Sequence, residues 1–316
     1  MPDYLNQLID RFWLYRDRRF PNQPHFFLDQ RKQSNRPPVF RPEFSDLNVV
    51  APASQRQTVL GTLRAADRHM WFSSMRSSQA LTQSVFGTLK VLDKLHLLTH
   101  VMADDGGFAF FEESRSSTEC YLERPCVSLG ELPKGQTQSD VFFGGPHNIS
   151  VECKLAEDAF GSCSQPKISS TAPNDRWDLC DGTYTRQRSR RERCSLTEKG
   201  ILYWKRIPGL LQWNAEADQS PCPMRVPYQL VRNLLAAESG HAVLIYDSRN
   251  PHFQRGGACA ETFDSVRNDL HDPSRLRRCS WQAICGVLEN DADLHDFVEE
   301  LRLKYGFGDP LASISQ

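Results

Sequence analysis

The segment 138–157, QSDVFFGGPHNISVECKLAE, limits the fold more than any other part of this 316-residue chain. Two runs of strand-forming residues flank GGPHN at 144–148, a sequence typical of a hairpin turn. Along the second run, alternation with period two directs Glu152 and Lys154 to one face of the strand. The other face is apolar and consists of Ile149, Val151, Cys153 and Leu155. The sequence therefore predicts two antiparallel strands with one buried face.

Asp140, Glu152 and Lys154 are the candidate catalytic residues of this hairpin. Hydrolysis of a phosphodiester needs a divalent cation to neutralise the phosphate and to lower the pKa of an attacking water. Mg²⁺ usually takes one or two carboxylates and completes its shell with water and substrate phosphate. Asp140 and Glu152 can supply those carboxylates, and the backbone carbonyl of Cys153 can be a further metal ligand. Lys154 can orient the water and stabilise the developing negative charge.

The acid-x-Lys triplet that begins at Glu152 carries little information by itself. A chain of 316 residues with 39 acids and 9 lysines should contain about one such triplet by chance. A solvated strand face explains the same residues, because neighbouring Glu and Lys are common on sheets. What favours a site is the hairpin, which places an acid twelve residues upstream. We therefore expect the carboxylates of Asp140 and Glu152 to reach one shared cation.

The pattern along the chain predicts three regions. Residues 1–60 are predicted as an irregular N-terminal extension, because 20–58 is rich in Pro, Asn and Gln and lacks periodicity. Residues 61–305 are predicted as one domain, and residues 306–316 as a C-terminal tail.

Within the domain, Ser77 or Ser78 can cap a helix that tolerates Gly87 and continues to Leu95. The segment 106–114 has the composition of a strand, and a loop with Cys120 and Cys126 follows it. The elements predicted after the hairpin are a helix at 196–213, a helix at 227–238, a buried strand at 241–247 and an acidic amphipathic helix at 289–307.

The hairpin resembles the Asp…Glu-x-Lys core of the PD-(D/E)XK nuclease superfamily, which has the restriction-endonuclease-like fold. More extensively, the chain is similar to an uncharacterised bacterial branch of restriction endonucleases. The similar segments span roughly 64–256 and include SSQALTQSVFG, VECKLAEDAFGSC, LTEKGILYW and PYQLVRNLLA before AVLIYDSRNP. The resemblance implies an α/β fold with a mixed central sheet flanked by helices.

The resemblance also implies the activity, that of a Mg²⁺-dependent DNA nuclease with Mn²⁺ as an alternative cation. Carried over residue by residue, Asp140 and Glu152 would ligate the metal and Lys154 would be the catalytic lysine. Two positions depart from the superfamily pattern. Ser139 stands where a proline often precedes the Asp, and the first helix begins with SSQ at 77–79 instead of an acidic residue. A third carboxylate ligand, and with it a two-metal mechanism, therefore lacks support in the sequence.

Gln229 is a further candidate catalytic residue. In the segment PYQL it resembles the Gln that follows the core in the exonuclease-like branch, although the aromatic residue usual four positions later is Asn233 here. A surface amide on an amphipathic helix, beside Leu230 and Leu234, explains Gln229 equally well.

The net charge of −1 conceals two segments of opposite charge. Residues 186–206 contain eight Lys or Arg and two acids, and 286–300 contain six acids with neither Lys nor Arg. A basic segment beside a metal site is what DNA phosphates require, whereas a solvated loop paired with the acidic helix is the alternative. The candidate DNA-binding residues are Arg186, Arg188, Arg190, Arg191 and Arg193.

The ten cysteines favour reduced, buried thiols over a disulfide framework, because the chain is long and shows no secretory signal. Four of them surround the basic segment and could in principle hold zinc or an iron–sulfur cluster: Cys163, Cys180, Cys194 and Cys222. No Cys-x-x-Cys pair occurs, and these spacings match no metal-site pattern. The sequence therefore favours unliganded thiols and predicts no metal there.

No stretch approaches the roughly 20 apolar residues of a membrane helix, and the N-terminus has no apolar leader. We therefore expect a cytoplasmic protein with no membrane partner. DNA is the expected partner, and the resemblance implies a role in restriction or defence, as a homodimer or with a partner from a defence system. The contrasting interpretation is a catalytically inactive nucleic-acid-binding or interaction protein on the same fold.

Overall fold

A five-stranded sheet forms the centre of the protein in a computed structural model that describes residues 4–28, 32, 35–113, 117–131, 138–166, 179–186 and 190–308. Neighbouring strands in space are also consecutive in sequence: β1 (Cys120–Pro125), β2 (Gln138–Phe143), β3 (Ile149–Cys153), β4 (Ala242–Tyr246) and β5 (Leu276–Ser280). The first three strands pair antiparallel, and β3, β4 and β5 pair parallel. The sheet is therefore mixed.

Helices cover both faces of this sheet. The α-helices of the described residues are α1 (Tyr4–Arg19), α2 (Arg56–Leu60), α3 (Ser78–Thr82), α4 (Thr88–Val91), α5 (Ser195–Glu198), α6 (Tyr203–Arg206), α7 (Tyr228–Ala236), α8 (Ala258–Asp269), α9 (Trp281–Leu288) and α10 (His295–Tyr305). A π-helical segment, Gln83–Gly87, joins α3 to α4. In the part of the chain that the structure describes, no helix is both long and apolar enough to cross a bilayer. The predicted α/β fold class, a mixed sheet flanked by helices, is confirmed.

Alternation along the strands separates two hydrophobic cores. Val151 and Cys153 of β3 pack with Ile245 of β4 against α1, α3, α4, α9 and α10 on one face. Leu244 of β4 packs against α6, α7 and α8 on the other face. Lys154 alternates with the first set and contacts α7, as the predicted period of two requires. Hydrophobic burial on both faces thus fixes which side chains meet α7.

The hairpin forms where the sequence predicts it. Val141 of β2 pairs with Val151 of β3, and Phe143 pairs with Ile149. Gly145 in the turn has a φ of +70°, and a Cβ there would lie 2.5 Å from the Ser117 carbonyl oxygen. The turn therefore needs glycine both for its backbone conformation and for this close approach.

The first strand of the sheet differs from the prediction. Strand composition at 106–114 predicts a strand, but the described part, 106–113, is irregular. Two of its three phenylalanines instead lie in the core, since Phe110 and Phe111 both pack edge-on against Phe143. The strand forms later, at β1, within the stretch predicted as a loop with Cys120 and Cys126. The strand predicted from the apolar content of 106–114 is therefore wrong, because the rings of Phe110 and Phe111 are buried without strand pairing.

Two helical segments also differ from the prediction. α1 lies within the N-terminal region predicted as irregular, and Phe12 packs edge-on against Tyr305 of α10 with ring centroids 5.8 Å apart. The helix predicted at 196–213 is interrupted between α5 and α6, because Gly200 has a φ of +85°, and it ends near Pro208. The predicted cap of the first helix is confirmed, since Ser77 Oγ accepts from the Ala80 N–H at 3.2 Å.

Candidate active site

The candidate site lies where β2 separates from β3. The pairing of the two strands ends at Val141 and Val151. Beyond this pair of residues, the Cys153 N–H donates to Oδ2 of Asp140 at 2.6 Å, so a side chain takes the place of the main-chain partner. Asp140 therefore fills the opening between the strands and contacts the main chain of Cys153, whose carbonyl is the further predicted ligand.

Lys154 directly follows β3 and is almost completely buried. Its main chain is fixed on two sides, because its N–H donates to Ile245 O at 2.7 Å and Trp281 Nε1 donates to its carbonyl at 2.9 Å. Its Nζ pairs with Glu152 Oε1 at 2.8 Å and donates to Gln229 Oε1 at 2.9 Å. The structure thus brings three of the predicted site residues into one cluster.

Gln229 is a contact of the lysine and not merely a surface amide. It lies in the first turn of α7 and is half-buried beside Gly161. Gly161 has a φ of +72°, and a Cβ there would lie only 2.6 Å from Gln229 Oε1. Glycine at 161 therefore leaves the space that lets this amide reach Lys154.

Asn233, one turn later on α7, holds the second oxygen of Glu152. Its Nδ2 donates to Glu152 Oε2 at 2.7 Å, and its Oδ1 accepts from the hydroxyls of Ser139 and Ser150 at 3.2 Å and 3.0 Å. Ser139 and Asn233, which both depart from the superfamily pattern, therefore belong to one hydrogen-bond network. This network fixes the rotamer of a buried carboxylate, a role that the sequence did not predict.

Glu123 of β1 contributes a carboxylate that the sequence analysis missed. Its φ of +50° lies in the left-handed region, which is uncommon for a residue other than glycine. Gln79 Nε2, from α3, donates to Glu123 Oε1 at 2.6 Å. Gln79 lies in the first turn of α3, the helix in which the superfamily often has an acid, so the additional carboxylate at this site comes from a neighbouring strand.

Electrostatic repulsion links these carboxylates. Burial raises the pKa of Asp140 well above its usual range, the charges of Glu152 and Glu123 raise it further, and Lys154 and the Cys153 N–H lower it. Burial also raises the pKa of Glu123, to about 7. The hydrogen bond from Gln79 lowers this pKa, and the charge of Glu152 raises it. The site therefore holds more negative charge than Lys154 neutralises.

Lys154 remains an ammonium ion at neutral pH. Burial alone would lower its pKa, but the charges of Glu152, Glu157 and Asp140 raise the pKa above the ordinary value. A protonated lysine donates hydrogen bonds and stabilises negative charge, and it cannot accept a proton. The arrangement therefore suits electrostatic stabilisation rather than general-base chemistry by this residue.

The donors of the site suit a hard divalent cation. Mg²⁺ and Mn²⁺ prefer oxygen ligands, and Asp140 and Glu152 offer carboxylate oxygens whose repulsion such a cation would relieve. Among the described residues, no three His, Cys, Asp or Glu side chains are already grouped around a metal position. Two carboxylates are nevertheless a usual protein contribution to a Mg²⁺ site, because water and substrate phosphate supply the remaining ligands.

Replacing Glu123 with glutamine should change how stability depends on pH. The carboxyl has an ordinary pKa of 4.5 and a folded-state pKa of about 7, so the folded protein binds the extra proton between these values. When no metal is bound, the stabilising contribution of this carboxyl is fully present below pH 4.5 and is lost as the pH rises through 7. The free energy of unfolding should fall by up to about 3 kcal/mol over this range. Urea unfolding from pH 4 to pH 8 should show a loss of stability in the wild type that is smaller in Glu123→Gln, where the buried Asp140 still opposes folding as the pH rises.

The exposed Glu261 on α8 provides the matched control, and Glu261→Gln should unfold with the wild-type pH dependence. Identical pH dependence in the wild type and in Glu123→Gln would contradict the raised pKa of Glu123.

The arginines predicted to bind DNA occupy different environments. Arg186 and Arg191 are exposed, and Arg188 lies outside the described residues. Arg193 pairs with Asp218 through Nε and Oδ1 at 2.8 Å. Arg190 is only 6% exposed, so the prediction that it binds DNA is not supported by its position. A buried guanidinium cannot reach a phosphate backbone, and we remove Arg190 from the DNA-binding candidates.

Comparison with known proteins identifies a family for the whole chain. No curated protein and no solved structure matches the chain. The model of a family described as "Restriction Endonuclease associating with ARP" matches residues 22–306, which include the whole sheet and the site. The chain therefore belongs to this restriction-endonuclease-like family.

Proposed function

We propose that this protein is a metal-dependent endonuclease that hydrolyses phosphodiester bonds in DNA. The observation that carries the proposal is the buried cluster in which Lys154 contacts both Glu152 and Gln229 beside the mutually repelling carboxylates of Asp140 and Glu123. Membership in a restriction-endonuclease family supports nuclease chemistry. A solvated strand face would leave these charges in water, whereas Glu152 and Lys154 are buried, so a functional site explains the triplet better.

Asp140 and Glu152, with the carbonyl of Cys153, would hold Mg²⁺ or Mn²⁺. When bound, this ion would neutralise the scissile phosphate and lower the pKa of the attacking water. The Lys154 ammonium would orient that water and stabilise the charge that develops on the phosphate. Glu123, with a pKa of about 7, is suited to accept a proton near neutral pH.

Gln229 and Asn233 act on the charged residues and so position them. Gln229 accepts from Lys154, and Asn233 donates to Glu152, so α7 fixes the ends of both side chains from one helix. This support matters because electrostatic catalysis depends on groups that are already oriented before the reaction.

DNA would be held by the exposed part of the basic segment. Arg186 and Arg191 are accessible, and Arg193 lies near them in the chain, so we propose these three as phosphate contacts. Because the matching family is described as associating with ARP, we further propose that the chain works with a partner protein in cytoplasmic restriction or defence.

The proposal is tested by incubating the wild type with linear, circular and single-stranded DNA in Mg²⁺, in Mn²⁺ and in a chelator. Cleavage should require the cation and should be lost in Asp140→Ala and Lys154→Ala. Cleavage of circular DNA identifies an endonuclease. A wild type that cleaves none of these substrates in either cation, or variants that cleave normally, would overturn the proposal.

A further inference from the structure

Four cysteines from separate segments meet at one cavity, on the α6 and α7 side of the sheet. Cys194 is the residue that caps α5, and the other three lie outside helices and strands. Ser195, Trp204 and Tyr228 line the cavity together with the four cysteines, which are Cys163, Cys180, Cys194 and Cys222. Their separation along the chain gives no metal-site pattern, so only the fold reveals that they converge.

Main-chain hydrogen bonds fix these segments to one another. The Cys163 N–H donates to the Arg225 carbonyl at 2.9 Å, and the Cys222 N–H donates to the Gly182 carbonyl at 2.9 Å. Cys180 forms an isolated parallel bridge with Pro166. Main-chain contacts therefore hold the segments of Cys163, Cys180 and Cys222 in place, so these three do not meet only through side-chain packing.

One of the four sulfur atoms, that of Cys180, accepts a hydrogen bond from the main-chain N–H two residues later in the chain. For Cys180 the donor is Gly182 N, at 3.3 Å. At the other three cysteines burial raises the pKa of the thiol, and the main-chain N–H groups of Gln165, Leu196 and Met224 act against that rise at Cys163, Cys194 and Cys222 in turn. Such bonds favour a thiolate over a thiol, and hydrogen bonds to sulfur are a usual feature of iron–sulfur sites.

Polar groups around the cavity point to an anionic occupant. In the part of the chain that the structure describes, Ser195 Oγ and Trp204 Nε1 line the cavity, are buried and have no hydrogen-bond partner. The guanidinium of Arg190 is likewise buried without a hydrogen-bond partner, and its positive charge acts in a small way against the burial that raises the pKa of Cys194. Unsatisfied buried donors cost free energy, and a metal centre with four thiolate ligands would supply acceptors and negative charge.

Thiolates alone could not occupy this position together. Burial raises the pKa of Cys163, Cys194 and Cys222, and the charges of neighbouring cysteines raise these pKa values further. All four cysteines are free of disulfides. Cations are therefore needed if the four are to be ionised at once.

A cluster of several metal ions suits the four thiols better than a single ion does. Zinc requires four sulfur atoms within about 2.3 Å of a single point. Among the described residues, no three of these side chains are grouped closely enough to hold one ion. A [4Fe–4S] cluster, in contrast, is bound by four cysteine thiolates spread around a larger inorganic core.

We propose that Cys163, Cys180, Cys194 and Cys222 bind a [4Fe–4S] cluster. The cluster would hold together the segments that pack on the start of α7, because Tyr228 lines the cavity and the next residue, Gln229, contacts Lys154. It thus supports the placement of α7 from the side opposite the sheet. The inference rests on the cysteines alone and is independent of nuclease activity.

The test is the metal and sulfide content of the full chain, purified without oxygen and also reconstituted with ferrous iron and sulfide. The wild type should contain about four iron and four sulfide per chain and show the broad visible absorption of a thiolate-bound cluster. Each of the four Cys→Ser variants should lose iron and sulfide. The control Cys285→Ser, a buried cysteine of α9 on the other face of the sheet, should retain both.

The wild-type measurement decides the question even where a variant folds poorly, which circular dichroism will reveal. Absence of iron and sulfide from the reconstituted wild type would overturn the proposal. One zinc per chain, lost in the same variants, would also overturn it in favour of a single-ion site. Retention of the cluster in all four variants would show that these cysteines are not its ligands.

Discussion

Asp140→Asn is expected to lower Mg²⁺-dependent DNA cleavage by about 1,000-fold or more while the protein stays folded. The asparagine Oδ1 can still accept from the Cys153 N–H, which Asp140 Oδ2 does at 2.6 Å, so the opening between β2 and β3 is retained. The negative charge is lost, and with it a ligand of the cation. Metal ions contribute several kcal/mol to phosphoryl chemistry, and each 1.4 kcal/mol is a factor of ten in rate.

The same variant should be more stable than the wild type when no metal is present. The pKa of Asp140 is raised by burial and by the charges of Glu152 and Glu123, so ionising this group opposes folding. The gain should be absent below the ordinary pKa of aspartate and should grow as the pH rises above it. Asp264→Asn, a change on the exposed surface of α8, is the control for both measurements. Wild-type cleavage by Asp140→Asn would contradict the metal-binding role.

Lys154→Met is expected to have the largest effect on stability, a loss of about 3–5 kcal/mol, because it leaves the buried Glu152 charge without its ion-pair partner. Glu152 would keep the hydrogen bond from Asn233, which does not replace an opposite charge. Cleavage should fall by about 100-fold to 1,000-fold, the usual cost of removing one preorganised electrostatic group. Urea unfolding and initial cleavage rates measure the two effects.

A double variant separates the structural effect of Lys154 from the catalytic one. Glu152→Gln with Lys154→Met removes both buried charges, so stability should return to within about 1–2 kcal/mol of the wild type. Cleavage should remain lost, because neither the metal ligand nor the ammonium is restored. Lys32→Met, which removes an exposed lysine paired with Asp10, should change neither quantity. Recovery of cleavage in the double variant would show that Lys154 acts only through stability.

The hairpin and its alternation could be predicted because local chemistry determines both. The turn sequence around Gly145 and the alternation of side chains along β3 follow from neighbouring residues, and they put Glu152 and Lys154 on one face of the strand, which meets α7 in the structure. β1 could not be placed this way. Its residues, CYLERP, are more polar than the aromatic run at 106–113, and pairing with β2 makes them a strand.

The parts of the site that the sequence missed come from contacts between distant segments. Glu123 follows from the position of β1 beside β2, and its hydrogen bond to Gln79 spans 44 residues. Asn233 reaches Glu152 across 81 residues. The sequence did contain one signal for Glu123, an acid in a strand-compatible segment that precedes the hairpin. If that segment formed a third antiparallel strand, the acid would lie next to Asp140. The four converging cysteines depend in the same way on long-range packing.

The central claim is that Asp140 and Glu152 form one cation site beside Lys154, and anomalous X-ray scattering from crystals soaked in Mn²⁺ tests it most directly. The account predicts a Mn²⁺ peak within bonding distance of a carboxylate oxygen of each residue, present in the wild type and absent in Asp140→Asn. A wild-type crystal at saturating Mn²⁺ with no peak between these carboxylates, or with Mn²⁺ bound only elsewhere, would contradict it.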